Sequence, residues 1–338
     1  MLFLGAGASK PFGGPTTSEM VDVVVQKLSR MKSIRCKALV SGIHKELTRF
    51  GLKADIETIL ALIQPQMDLL TGLESIGRKT ILASGQLQSI LEELTGIIPI
   101  TEFEEAIARS CMSINHEKVV DVYSMMFQEL RRSEKIDSKD HVPKMASRIF
   151  TTNYDLAIET FLKAKSISYS DGFQEDRVRD ITFKAKWSPS TRHHIQLYKL
   201  HGSIDYFQDS ELKVIRSNAP LEKIDHYGRL VKGRMMVYPA GEAQATRSPY
   251  FDSLSLLRFH LAREDACLVI GYSFPDAAVI NAFVDGLRKN PSLQVVLVGP
   301  NSPTIKDGLP MHLRANIKPV KGNFGAPLMP KAIVQAMS

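Results

Sequence analysis

The sequence predicts an α/β fold: a mostly parallel sheet with helices on both faces, carrying a helical insertion. Three observations lead there. Short, largely apolar runs recur at residues 1–4, 149–152, 267–270 and 294–298, the pattern of strands buried on both faces. Each run ends in glycine or polar residues, and most lead into a segment of helical periodicity, as in sheets whose strands alternate with helices. From residue 37 to about 147, by contrast, only helical periodicity is found.

The first run breaks at once into Gly5-Ala6-Gly7-Ala8-Ser9, a strand entering a turn. After Gly13-Gly14-Pro15, Thr16 and Glu19 stand at capping-box spacing, and Met20, Val23, Val24, Leu28 and Met31 share one stripe, so a helix begins there. Helical patterns continue through Ile56, Ile59, Leu60 and Ile63, over 87–94, from Thr101 with Glu104 as a second capping box, and over 119–130. At Arg148 the pattern changes. Residues 149–152 read as a strand ending in Asn153-Tyr154-Asp155, 156–164 as a helix, 195–200 as a strand ending at His201-Gly202, and 235–238 as another strand. The run at 267–270 leads into Gly271-Tyr272-Ser273 and a helix over 276–287; the run at 294–298 leads into Gly299-Pro300-Asn301. The expected organisation is a sheet domain of residues 1–32 and 146–338, interrupted by a helical subdomain of residues 33–145.

With 338 residues and 44% hydrophobic content, the chain has ample material for a core. Its net charge of +7 is spread out, with concentrations at Arg131-Arg132 and from Lys184 to His194. This reads as a solvated basic surface that admits acidic ligands, with direct nucleic-acid binding through 184–194 as an alternative. Cys36, Cys111 and Cys267 lie far apart, so neither a disulfide framework nor a paired-cysteine zinc site is expected, and the compartment reads as reducing. The apolar runs fall far short of the ~20 residues needed to cross a bilayer, so a cytoplasmic protein without membrane contact is expected. His193-His194 has no carboxylate or cysteine at ligand spacing, and no metal is expected.

The opening glycines fit neither common phosphate motif. A Walker loop needs Gly-Lys-Ser or Gly-Lys-Thr, which Ser9-Lys10-Pro11 does not supply; the dinucleotide fingerprint needs a third glycine where Lys10 stands. What remains specific is a combination: Gly5-Ala6-Gly7-Ala8-Ser9 with Gly14-Pro15-Thr16, then Thr151-Thr152-Asn153-Tyr154-Asp155, His201-Gly202, Gly271-Tyr272-Ser273 and Gly299-Pro300-Asn301. In order and character it resembles the sirtuin-like NAD-binding superfamily, over residues 2 to about 20 and 148 to about 325. It is similar above all to the divergent bacterial branch that hydrolyses NAD in antiphage defence. Two departures matter. Thr152 stands where the family has glutamine, and the family's four-cysteine zinc module is missing, which points away from lysine deacylation.

The resemblance implies a Rossmann-like domain that takes NAD as its substrate. Gly5, Ala6, Gly7 and Ser9, with the helix starting at Thr16, would cradle the diphosphate, since glycine leaves backbone nitrogens open to approach. Thr152 would border the cofactor. Asn153 would hold a ribose hydroxyl and the attacking water, Asp155 the nicotinamide carboxamide, and His201 would accept a proton from a sugar hydroxyl or water. Gly271, Ser273 and Asn301 would line the adenosine side. Read without the resemblance, Ser9, Asn153 and Asp155 could equally serve as turn or helix-capping residues. The implied activity is hydrolysis of NAD to nicotinamide and ADP-ribose, controlled by homo-oligomerisation or by a companion such as a HerA-type ATPase or a nucleic-acid-sensing protein. A non-catalytic NAD or ADP-ribose sensor, and a protein deacylase or ADP-ribosyltransferase, remain open alternatives.

Overall fold

The computed structural model describes residues 1–56, 58–60, 62–63, 100–136, 142–175, 181–188, 194–209, 213–217, 231–236 and 248–337. Among them, β1 (Leu2–Leu4), β2 (Arg148–Thr151), β3 (Ser168–Ser170), β6 (His194–Lys199), β10 (Ala266–Ile270), β11 (Gln294–Gly299) and β12 (Ile317–Lys321) form one sheet. Its order is β12-β11-β10-β1-β2-β6-β3, and every neighbouring pair runs parallel. A second, antiparallel sheet comprises β4 (Gly172–Glu175), β5 (Ile181–Lys186), β7 (Gly202–Asp209), β8 (Val214–Arg216) and β9 (Val231–Met236), in the order β4-β5-β8-β7-β9.

Successive strand residues point to opposite faces, and the parallel sheet uses this to feed two cores. Leu2, Leu4, Ile149, Leu197, Leu268, Ile270 and Val296 pack on one side, against the helices His116–Ser133 and Ala157–Ala164. The intervening Phe3, Phe150, Tyr198, Cys267, Val269 and Leu297 pack on the other, against Tyr250–Leu261 and Ala277–Lys289. Burial on both faces explains why these strands read as unbroken apolar runs. The α/β class with a mostly parallel sheet is the one the sequence predicts.

Two compact units divide the chain: Met1–Thr16, Cys111–Val237 and Glu242–Ser338 form the first, and Thr17–Ser110 makes up the bulk of the second. These boundaries differ from the expected 33–145. The helix His116–Ser133 buries Val119, Tyr123, Phe127 and Leu130 in the same cluster as Leu2 and Phe161, so it belongs with the sheet. The helix Thr17–Arg30, expected within the sheet domain, groups with the second unit. Amphipathic periodicity announces a buried face without saying what covers it. In the second unit, Thr17–Arg30 buries Met20, Val21, Val24 and Leu28, and Ile34–Arg49 buries Cys36, Val40 and Leu47. The helix expected over 87–94 lies outside the described residues. Among those described, no helix is long and apolar enough to cross a membrane.

Candidate functional site

The chain leaves β1 toward β2 on one side, and β10, which follows much later, pairs with β1 on the other. The β1/β10 boundary is therefore a topological switch point, the place where sheets of this kind bind ligands at the carboxyl ends of their strands. Register brings four such ends together. Leu4 pairs with Ile270 and with Thr151, and Thr151 pairs with Lys199, so the turns beginning at Gly5, Thr152, Leu200 and Gly271 open on one edge.

Glycine is required where the β1 turn crosses the β10 turn. A Cβ on Gly5 would stand 2.6 Å from Gly271 O, and one on Gly7 2.8 Å from Gly271 Cα. Gly271 has φ +64, and a Cβ there would reach to 2.2 Å from Ala8 N. Four of the amides expected near a diphosphate already have backbone partners. Gly5 N donates to Ile270 O (2.9 Å), Gly7 N to Gly271 O (2.8 Å), Ala8 N to Gly5 O (2.9 Å) and Ser9 N to Ala6 O (3.1 Å). The glycines serve close backbone packing, and Ala6 lies half-buried in the tight turn Ala6–Ala8.

Ser9 is likewise held by partners within the protein. Its buried hydroxyl donates to Asp155 Oδ2 (2.6 Å) and accepts from Asn153 Nδ2 (3.0 Å), which also donates to Gly5 O (3.0 Å). With both amide hydrogens directed this way, Asn153 Oδ1 is fixed on the opposite side, buried and accepting no hydrogen bond among the described residues. Leaving a buried acceptor unmet costs about 1–3 kcal/mol, so Asn153 Oδ1 is the atom of this network that a hydroxyl or water donor would satisfy.

Both oxygens of Asp155 carry a donor: Oδ2 receives the Ser9 proton and Oδ1 the amide of Ala157 (2.9 Å), the first residue of the helix Ala157–Ala164. Its backbone carbonyl accepts from Lys199 Nζ (2.6 Å), which also pairs with Glu159 Oε1 (2.8 Å). The Lys199 and Glu159 side chains are 1% and 8% exposed, so this ion pair is shut away from water beneath the turn. Burial pushes the Glu159 carboxyl above its ordinary range despite the pull of Lys199.

His201 stands two residues beyond Lys199, as Asn153 stands two beyond Thr151, and Leu200 N donates to Thr151 O (2.8 Å) across the gap. The Tyr154 and His201 rings lie 6.4 Å apart. His201 Nε2 meets Asp276 Oδ2 at 3.0 Å, both side chains being largely buried. Asp276 is the N-cap of the helix Ala277–Lys289, its Oδ1 accepting from Ala278 N (2.7 Å) and more weakly from Val279 N (3.4 Å). Burial opposes ionisation of Asp276, but the His201 hydrogen bond, the imidazole charge and the two amides outweigh it, holding the carboxyl below its ordinary range. Just before it, Phe274 takes φ +58, a conformation costing a bulky residue on the order of 1–3 kcal/mol. Its ring is packed 5.0 Å from Tyr272 and 5.2 Å from Phe283.

The structure thus joins Ser9, Asn153 and Asp155 in one network and sets His201 at the next strand end. Thr152 is buried, its amide donating to Leu4 O (3.0 Å). Thr16 and Gly271 are half-buried, and Ser273 and Asn301 lie exposed just past β10 and β11. A model of the SIR2-like domain matches residues 147–318, just over half of the sequence.

The chain belongs to the SIR2-like family. Among solved structures it is similar to a Sir2 homologue in complex with NAD (15% identity, TM-score 0.49, covering 100% of this chain and 88% of that one). It is also similar to a mutant Sir2 homologue in complex with ADP-ribose (15% identity, TM-score 0.46, covering 100% and 91%). No curated protein matches it.

In this SIR2-like chain, sequence reasoning passed over Asp276 and Lys199. Asp276 carries only the ordinary signal of a helix start, which gives no hint of an imidazole partner. Lys199 had a usable signal, a charged residue inside the apolar run Ile195 to Leu200. His194, considered for metal, bridges Ser168 Oγ (2.8 Å) and Ser170 Oγ (2.9 Å) through its two ring nitrogens. The three cysteines are buried free thiols, and burial pushes those of Cys36 and Cys267 up to about 12.

Proposed function

We propose that this protein hydrolyses NAD at the bond between nicotinamide and ribose. The observation that carries the reading is the Asn153 amide, held by Gly5 O and Ser9 Oγ so that its buried oxygen is left without a donor at the strand end next to the one bearing His201. In the reaction the C1′–N bond breaks with its electron pair going to the pyridinium nitrogen, so a cationic ring departs as neutral nicotinamide. Water supplies the oxygen that bonds C1′, giving ADP-ribose, and its proton passes to His201. Asn153 Oδ1 holds the water or a ribose hydroxyl in line, which lowers the entropic part of the barrier. Family membership supports the reading, as do the NAD and ADP-ribose complexes among similar structures.

Gly5, Ala6, Gly7, Ser9, Thr16, Thr152, Gly271, Ser273 and Asn301 are proposed to border the dinucleotide, with Ser9 acting through Asn153 and Asp155. The helical unit is proposed as the surface for a regulator. An uncontrolled NAD hydrolase would harm its own cell, so the activity is assigned to antiphage defence, controlled by homo-oligomerisation or by a partner such as a HerA-type ATPase or a nucleic-acid sensor. Sizing the purified protein with and without such a partner, alongside nicotinamide release, tests this; a monomer fully active alone would refute it. Tight NAD binding with no nicotinamide released under any activating condition would favour the sensor reading over the enzyme.

A further inference from the structure

The Asp276 carboxylate touches only His201 and the start of its own helix among the contacts described above, yet the backbone is distorted to bring it there. The turn from Gly271 to Asp276 passes through positive φ at Gly271 (+64) and again at Phe274 (+58), whose ring is wedged between those of Tyr272 and Phe283. Strain at a bulky residue persists only where packing over-determines it, and it gathers where a side chain must be aimed. What is aimed here is one oxygen of Asp276. Oδ1 is tied to the amide of Ala278 and Oδ2 is left for His201 Nε2 at 3.0 Å.

We propose that Asp276 is the positioning residue of His201, fixing the ring proton on Nε2 and leaving Nδ1 as the nitrogen that accepts a proton during catalysis. A neutral imidazole has one donor and one acceptor nitrogen, and an ionised carboxylate only accepts, so the nitrogen facing Asp276 must carry the hydrogen. The helix Ala277–Lys289 assists, because its N-terminal amides and dipole favour negative charge on its cap. When Nδ1 receives the proton released by the attacking water, the imidazolium sits against a carboxylate already in place. The oxygen keeps the electron pair of the broken O–H bond and forms the bond to C1′. The role of Nδ1 rests on the NAD-hydrolysis reading; the tautomer does not.

Histidine-selective 15N NMR of the full-length protein at about pH 9, where imidazoles are neutral, tests the proposal. The His201 ring signals are assigned by their loss in His201→Gln. The expected wild-type tautomer is Nε2–H, a measurement that needs no variant at Asp276. In Asp276→Asn the amide oxygen can still cap the helix, which turns its NH2 toward Nε2, so the tautomer should invert to Nδ1–H. With NAD, the variant should lose about 10²–10⁴-fold in kcat with KM within about twofold, since a wrong tautomer disables chemistry and not binding. A wild-type Nδ1–H tautomer, or no inversion in the folded variant, overturns the proposal. If wild type releases no nicotinamide but shows the expected tautomers, the hydrolase reading fails while the positioning role of Asp276 stands.

Discussion

Ser9 and Asp155, 146 residues apart in sequence, meet in a buried hydrogen bond of 2.6 Å that ties the first strand's turn to the second's. Because the same hydroxyl accepts from Asn153, it decides which way that amide faces. Ser9→Ala should cost about 1–3 kcal/mol in denaturant unfolding, since Asp155 and Asn153 each lose a buried partner. It should also cut nicotinamide release by roughly tenfold or more, because the amide is then held by Gly5 O alone. Full activity in the folded variant would show that Asn153 does not depend on this contact.

Gly271 and Gly299 give a paired test of the turn crossing. Gly271→Ala places a Cβ 2.2 Å from Ala8 N at φ +64, with backbone on the other side of the clash, and should cost about 2 kcal/mol or more, or prevent folding. A Cβ on Gly299 meets nothing within 4 Å, and Gly299→Ala should stay within about 0.5 kcal/mol. Equal thermal stabilities of the two variants would contradict this account of the turn crossing.

Lys199 and Glu159 stand or fall together. Lys199→Met leaves a buried carboxylate without its cation and the Asp155 carbonyl without a donor, and should cost about 3–5 kcal/mol. The double variant Lys199→Met with Glu159→Gln should recover much of that loss, because no charge is then stranded. A double variant no more stable than the single one would mean that the pair is not the source of the effect.

Much of this architecture was legible in the sequence. The runs at 149–152, 267–270 and 294–298 are strands because burial on both faces demands unbroken apolar residues, and that demand is written directly in the chain. The antiparallel sheet was nearly invisible. Only 235–238 was expected to be a strand, whereas β9 spans Val231–Met236, and β5 has just one buried position in ITFKAK, too little alternation to read. Asn153, Asp155 and His201 were singled out because they stand at expected strand ends and match the sirtuin-like pattern. Their partners were not, because Asp276 and Lys199 come from distant segments and meet them only through strand register.

His260 should make stability fall on acidification. Burial, then the charges of Arg148, the amino terminus and Arg263, lower its pKa from 6.5 to about 4. Glu264 lies 3.8 Å from its Nδ1 but is already held by Arg148 at 2.7 Å, so burial prevails. The folded state therefore binds fewer protons than the unfolded one, and the contribution is complete above 6.5 and lost as pH falls toward about 4. The slope in that window reaches at most about 1.4 kcal/mol per pH unit from this group. His260→Gln, unfolded in denaturant across the same pH range, should show a shallower decline than wild type; parallel curves would remove His260 as the cause.

The most direct test of the central claim is nicotinamide release from NAD by the purified protein, with and without a candidate activating partner, compared with Asn153→Ala and His201→Ala. The account predicts stoichiometric nicotinamide and ADP-ribose from wild type, and losses of about 10² to 10⁴-fold in each variant with folding intact. Intact NAD under every activating condition, or undiminished release by either variant, would contradict it.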